Sequence, residues 1–353
     1  MRPRISLKLG LFVCCLFLLP SGLMAQIGGA KTLLKDGIAL HDKGDYDGAI
    51  AKSEAALGID PDNVLAWYEL ALSHQAKGDC SKAISVCKQT IAKHKKSDKL
   101  EGLYTLYGNC LDQTENTKEA IKVYKEGMKK APDSYLLPFN MGVTYLRSSD
   151  MENAQKAFEK ALTINPLHTS SHYYMAIVAD QSGNRIPTIL AMTHFLLLSP
   201  EGERANRFLP VLYQRMASNV TKNGENQITI NIDANSLEEK EKENDFKAVE
   251  LLLSFSSALA MEEGAEPLSN PEKLAKQFSM VFDVLNTDKK NKGFFWEHYA
   301  PFFVQLKAEG HVETLCNLIN SGDEKEAEAR TWVADNEAKV KAFYGWVASY
   351  YGG

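Results

Sequence analysis

The residues of this 353-residue sequence best equipped for chemistry are few, and their spacing decides little in favour of a reaction. Glu297, His298, His311 and Cys316 have the donor types of a zinc site or a general-base pair. They match neither HExxH nor a Cys/His finger, so they are expected as core or helix-surface residues. Cys80, Cys87, Cys110 and Cys316 form no CxxC and are expected as small buried thiols. The carboxylates of "EEKEKE", Glu238 to Glu243, make a solvated face or linker. There is no GxSxG, phosphate-cradling glycine loop or dinucleotide fingerprint. No catalytic residue, metal or cofactor is expected.

Those residues need elements to carry them. At 44% hydrophobic and 24% charged, the chain can bury a core with room for about two domains. A net charge of -5 with no long Lys or Arg block speaks against a nucleic-acid partner. The N-terminus has the form of an export signal. Arg2, Arg4 and Lys8 precede an apolar run from Leu9 to Leu19, and small residues lead to Ala25. The run is too short to span a membrane, so residues 1–25 are expected to be a cleaved signal peptide, with the mature chain in the periplasm or secreted and no transmembrane span in it. Cys14 and Cys15 lie early in the leader behind Phe12 and Val13, unlike a lipidation site.

The rest of the N-terminal half is periodic. Pro132, Pro166 and Pro200 follow one another at 34 residues, each after a helical stretch with small, bulky and small residues in register. Ala154, Phe158 and Ala161 stand before Pro166 as Ala120, Tyr124 and Gly127 stand before Pro132, and as Ala49, Ser53 and Ala56 stand before Pro61. A second helical stretch precedes each of these, with Gly37, Ala71, Gly108, Gly142 and Ala176 at one recurring position where two helices can approach closely.

This pattern resembles the tetratricopeptide repeat. Trp67, Leu70, Ala71, Gly78 and Ala83 fall at its signature positions, and so do Met141, Gly142, Tyr145, Ala154, Phe158, Ala161 and Pro166. The resemblance implies an all-α fold: a solenoid of about five helix-turn-helix repeats with a capping helix, over residues 30–219. Departures are visible. Lys95 replaces a terminal Pro, "KHKKSDKLEG" adds three residues before the third unit, and the fifth unit has Thr188 for the usual Ala and Pro187 early in its second helix. Cys80 and Cys110 fall on helices of neighbouring units that pack antiparallel, which leaves open a bridge in an oxidising compartment beside the reading as free thiols.

Residues 220–244 are polar, with Ile228, Ile230 and Ile232 alternating as in a short strand, and are expected as a linker. Residues 245–353 return to apolar helical patterning without the 34-residue phase and are expected as a C-terminal helical domain.

In the tetratricopeptide family the first helices line a concave face. The matching positions here are Leu34, Ile38, Tyr68, Leu72, Thr105, Asn109, Phe139, Val143, Tyr173 and Ile177, with Asn140 beside them. The resemblance makes these the partner-binding residues, in an apolar and aromatic groove lacking most of the cations that grip a carboxylate. Three occupants fit such a stripe: a segment of another exported protein, this chain's own C-terminal helices, or neighbouring units. The function implied is a non-enzymatic scaffold or adaptor in the bacterial cell envelope that binds an exported or envelope protein or peptide segment. The alternative is an enzyme or enzyme subunit with its site in the C-terminal helices, which would bring Glu297, His298 or His311 into one pocket.

Overall fold

The computed structural model describes residues 21–223, 228–231, 243–259, 268–287 and 292–352. The expected signal peptide therefore lies largely outside the described residues, as does most of the acidic stretch before Glu243. Among the described residues there are seventeen α-helices, one π-helical turn and a two-stranded hairpin. Ten helices joined by short turns come first: α1 (Ser21–Asp42) packed on α2 (Tyr46–Ile59), α3 (Val64–Ala76) on α4 (Cys80–Lys93), then α5 (Leu100–Gln113) and α6 (Thr117–Lys130), then α7 (Leu136–Arg147) on α8 (Met151–Ile164) and α9 (Thr169–Gln181) on α10 (Arg185–Leu198). The helix α11 (Glu203–Ala217) follows.

Local chemistry fixes where each pair turns. The residue that reverses the chain is left-handed every time: Gly44, Gly78, Glu115, Ser149 and Gly183. Glycine adopts that conformation without strain, whereas Glu115 and Ser149 adopt it at a cost. An Asp or Asn follows each, and the carboxylates of Asp45, Asp79 and Asp150 accept from the backbone N–H of Gly48, Lys82 and Asn153 in the next helix. This satisfies one of the donors that a helix start leaves unpaired. The three-residue insertion lengthens the connection between α4 and α5 and leaves both helices intact.

The chain forms two compact units, Met1–Val123 and Tyr124–Gly353. In the first, Leu34, Ala56, Leu57, Ala66 and Leu70 make a core against which Ile38, Ile50 and Trp67 pack. A second cluster joins Cys80, Ala83 and Cys110. In the second unit, Ala154, Phe158 and Ala161 are fully buried, and a Cβ added to Gly142 would lie 2.6 Å from Phe158 Cε1. The recurring small residue on the first helix thus makes room for the bulky residue on the second.

After α11 the chain forms β1 (Val220–Lys222) and β2 (Ile228–Ile230), paired antiparallel with Thr221 opposite Thr229. The segment expected as a linker therefore carries a hairpin, and β1 and β2 both pack on α12 (Lys247–Leu259). The remaining helices are α13 (Asn270–Thr287), the π-helical turn Phe295–Tyr299, α14 (Ala300–Ala308), α15 (Val312–Ser321), α16 (Ala327–Asp335) and α17 (Glu337–Tyr350). They share one compact unit with α7 to α11. The reason is α10. Its residues from Arg185 to Leu197 are all buried, enclosed by α9, α11, α12, α15 and the π-helical turn. A helix apolar on every side has to be covered on every side.

Polar contacts tie the enclosure together. Arg185 donates from Nε to the Arg215 carbonyl at 2.8 Å, from Nη2 to the Met216 carbonyl at 3.0 Å and from Nη1 to Ser254 Oγ at 3.0 Å. Burial pushes its guanidinium down to about 10, and the carbonyls it meets lie in the last turn of α11, where a helix leaves its C=O groups without partners of its own. Gly322, at the end of α15, sits so close to the Pro200 carbonyl that a Cβ there would lie 2.2 Å from it.

Mutation and truncation each probe this packing. Phe158→Ala empties a fully enclosed site and is expected to cost about 3 to 5 kcal/mol, while Gly142→Ala drives a methyl into the Phe158 ring and is expected to cost about 1 to 3 kcal/mol, both read from urea unfolding midpoints. A chain ending at Asn219 leaves α10 without α12, α15 and the π-helical turn, so it is expected to bind a hydrophobic dye and self-associate. A monomeric, cooperative fragment by sedimentation and calorimetry would contradict that assignment of α10.

Candidate functional site

The first helices of the repeats, α1, α3, α5, α7 and α9, present the expected groove residues, and burial sorts them. In the first unit Leu34 is 6% exposed and belongs to the core with Leu57 and Leu70, so it is not an open contact surface. Ile38, Tyr68, Leu72, Thr105 and Asn109 are half-buried. The Tyr68 ring crosses Gly102, where a Cβ would lie 2.6 Å from Cε2. Burial, with Glu69 second, raises the Tyr68 hydroxyl above its ordinary value, and burial, with Asp42 second, raises the neighbouring Glu69. Thr105 Oγ1 is enclosed without a hydrogen-bond partner. This is an aromatic, weakly acidic surface.

In the second unit Phe139, Asn140, Val143 and Ile177 are half-buried. Phe139 joins a ring cluster with Phe158 at 6.0 Å, His168 at 4.7 Å and Tyr174 at 5.8 Å. The Asn140 amide donates to the Leu136 carbonyl one turn back at 2.9 Å, so that donor is already spent on its own helix. Tyr173 is 7% exposed: Phe208 of α11 stacks on it at 4.6 Å, and the Arg204 guanidinium lies 4.6 Å from its ring centre. The capping helix therefore fills the groove position of the fifth repeat, which was one of the three occupancies left open.

The residues that would have signalled an enzyme do not converge. Glu297 is exposed, His298 stacks on Phe294 at 4.7 Å, and His311 packs on Phe343 and Trp346. Among the described residues no group of three His, Cys, Asp or Glu side chains could hold a metal ion.

A different polar cluster forms instead, around α10. His172 and His194 stack with ring centres 4.1 Å apart. His172 Nε2 lies 2.8 Å from the Pro166 carbonyl and Nδ1 lies 2.8 Å from the Tyr299 hydroxyl. His194 Nε2 lies 3.3 Å from the Tyr351 hydroxyl, whereas His194 Nδ1 and His298 Nε2 are buried without partners. The spacing of the sequence gives no hint of this grouping, because its members come from α9, α10, the π-helical turn and the end of α17. The one available signal was His194 itself, a lone imidazole in the otherwise apolar run "LAMTHFLLL".

Cys80, Cys87, Cys110 and Cys316 are all free and buried. Cys80 and Cys110 do meet: their thiols are hydrogen-bonded, and Cys80 Sγ also donates to Gln113 Oε1 at 3.0 Å. Burial pushes Cys87 up to about 12 and raises Cys110 and Cys316 further, which keeps these thiols protonated and unreactive.

Repeat models match this geometry closely in position. A TPR repeat model matches residues 37–78, and tetratricopeptide repeat models match 65–97, 102–133 and 139–166. The class is thus a solenoid of helix-turn-helix repeats, and the N-terminal half of the chain carries tetratricopeptide repeats. It is 26% identical over 168 residues to the TPR repeat-containing protein MJ1428 of Methanocaldococcus jannaschii, a match covering 46% of this chain and 30% of that protein. The chain thus spans less than a third of that curated relative's length. Among solved structures, PilF of Pseudomonas aeruginosa is 20% identical with a TM-score of 0.47, covering 54% of this chain and 87% of that one. TTC0263, a thermophilic TPR protein of Thermus thermophilus, is 19% identical with a TM-score of 0.43, covering 52% of this chain and 99% of that one.

The thiol geometry is directly testable. Titration of the native protein with a thiol reagent is expected to be slow, and titration in denaturant to find all four of these cysteines free. A linked Cys80–Cys110 peptide in mass spectrometry of protein from its native compartment would instead establish the bridge.

Proposed function

We propose that this protein is a non-enzymatic scaffold of the bacterial cell envelope that holds a segment of another exported protein on the first-helix faces of its repeats. Tetratricopeptide repeats are interaction scaffolds as a fold, and fold alone leaves the partner open. The observation that carries the reading is the half-exposed set Ile38, Tyr68 and Leu72, which remains at the surface of the first unit although its neighbour Leu34 is buried. Apolar side chains held at a rigid surface are what an extended or helical segment packs against. The apolar and aromatic character of the set favours apolar anchors on the partner. Export rests on the leader-like residues 1–25, and among the described residues no helix is long and apolar enough to cross a membrane.

Two measurements test the two halves of this reading. A photoreactive side chain at Leu72 is expected to crosslink an exported protein in intact cells. Tyr68→Asp is then expected to abolish that crosslink while leaving the thermal midpoint within a few degrees of wild type; undiminished capture would move the binding surface elsewhere. Intact mass and N-terminal sequencing of the protein from its native compartment are expected to find a start at or near Gln26 without an acyl chain. A retained Met1 would remove the envelope assignment and leave the binding surface standing.

A further inference from the structure

We propose that His172, His194, His298, Tyr299 and Tyr351 form an acid-sensitive latch, which holds the π-helical turn and the end of α17 against α9 and α10 while the imidazoles are neutral and lets go when they take up protons. The latch depends on the second unit alone and not on where the chain resides.

Geometry demands neutrality. The Pro166 carbonyl can only accept, so His172 carries its proton on Nε2, and Nδ1 accepts from the Tyr299 hydroxyl. A second proton on Nδ1 would have to donate to Tyr299 Oη instead, turning that buried hydroxyl's own hydrogen away from its acceptor. His194 has one nitrogen near the Tyr351 hydroxyl and the other buried without a partner, so its charged form would carry an N–H with no acceptor. The two rings stack at 4.1 Å, so a charge on one opposes a charge on the other.

Among the described residues, no carboxylate is among the groups that act on His172 or His194. From α8 comes Glu159, which acts on Tyr299 rather than on either imidazole and is itself held above the usual carboxylate range by burial. The start of α9 contributes His168, the π-helical turn His298, and the end of α17 Tyr350 and Tyr351. The α14 face toward His194 is Phe302 and Phe303. Burial accordingly lowers His172 to about 3 and His298 to about 4, and holds His194 well below its ordinary value.

The direction follows from linkage. Once the π-helical turn and α17 lift away, each imidazole titrates near its unperturbed value, so the open form binds more protons than the closed one below about pH 6.5. The closed form keeps its full advantage above that value and loses it as pH falls toward about 4. From pH 7.5 to pH 5 the opening equilibrium rises by about 30-fold per histidine, or on the order of 10⁴-fold for all three. Opening strips part of the cover from α10, so acid would uncover an apolar helix that is enclosed at neutral pH.

Hydrogen exchange on the full chain, at pH 7.5 and at pH 5 and corrected for intrinsic rates, reads this directly. Peptides from α10, the π-helical turn and the end of α17 are expected to lose protection by several orders of magnitude at pH 5, while α2, which contains no histidine, keeps its own. His194→Phe puts an aromatic ring among Phe302, Phe303 and Tyr299 and is expected to reduce the pH-dependent loss by about 30-fold. His172→Gln serves the same purpose should that variant fold poorly. Protection of α10 that changes with pH no more than that of α2 overturns the latch, and so does a folded His194→Phe or His172→Gln variant whose pH dependence equals that of wild type.

Discussion

A helix without a polar face organises the second unit of this protein. α10 is buried from Arg185 to Leu197, and water is excluded from all of its sides. An ordinary second helix of a repeat buries one stripe between neighbours and leaves the other to solvent, as the exposed Lys and Glu positions of α8 show. α10 has no such stripe to leave, so further helices have to close over it. α12, α15 and the π-helical turn are arranged by that requirement.

Closing an apolar helix also traps polar groups, and the protein handles them in two ways. Each nitrogen of Arg185 has a partner: its three bonds meet the Arg215 and Met216 carbonyls and Ser254, and Ser257 Oγ also donates to the Met216 carbonyl at 2.9 Å. Together with the paired Arg215 and Asp180 side chains, this closes the end of α11. The histidines are satisfied only in part, since His194 Nδ1 and His298 Nε2 have no partner. A fully bonded buried network confers rigidity, whereas a partly bonded and titratable one gives the same packing a dependence on pH.

Solvent access also separates the two kinds of candidate site. The first-helix surface around Tyr68 and Leu72 is half-exposed and can meet a partner without rearrangement, which suits a scaffold. The cluster at His172 and His194 has the residue types of catalysis, but both imidazoles are fully buried, with His194 packed among Phe302, Phe303 and Tyr299. Residue type alone would have ranked the second above the first, and burial reverses the order.

The sequence by itself determined the repeats. Helix periodicity, the small residue facing the bulky one, the left-handed turn and the Asp or Asn cap are all interactions within about one repeat of one another, so they are legible along the chain as spacing. That is why Phe158, Ala154 and Gly142 lie where the 34-residue phase puts them, and why the insertion before α5 lengthens a loop and spares both helices. Only the tertiary structure decided which groove positions are open. Leu34 and Tyr68 hold equivalent places in their repeats, yet one is core and the other half-exposed, and Tyr173 is covered because α11 supplies Phe208. Long-range contact decided the rest: His172 meets Tyr299 across 127 residues and His194 meets Tyr351 across 157, separations over which no local period constrains which side chains come together. They are brought together because α10 has to be enclosed from every direction.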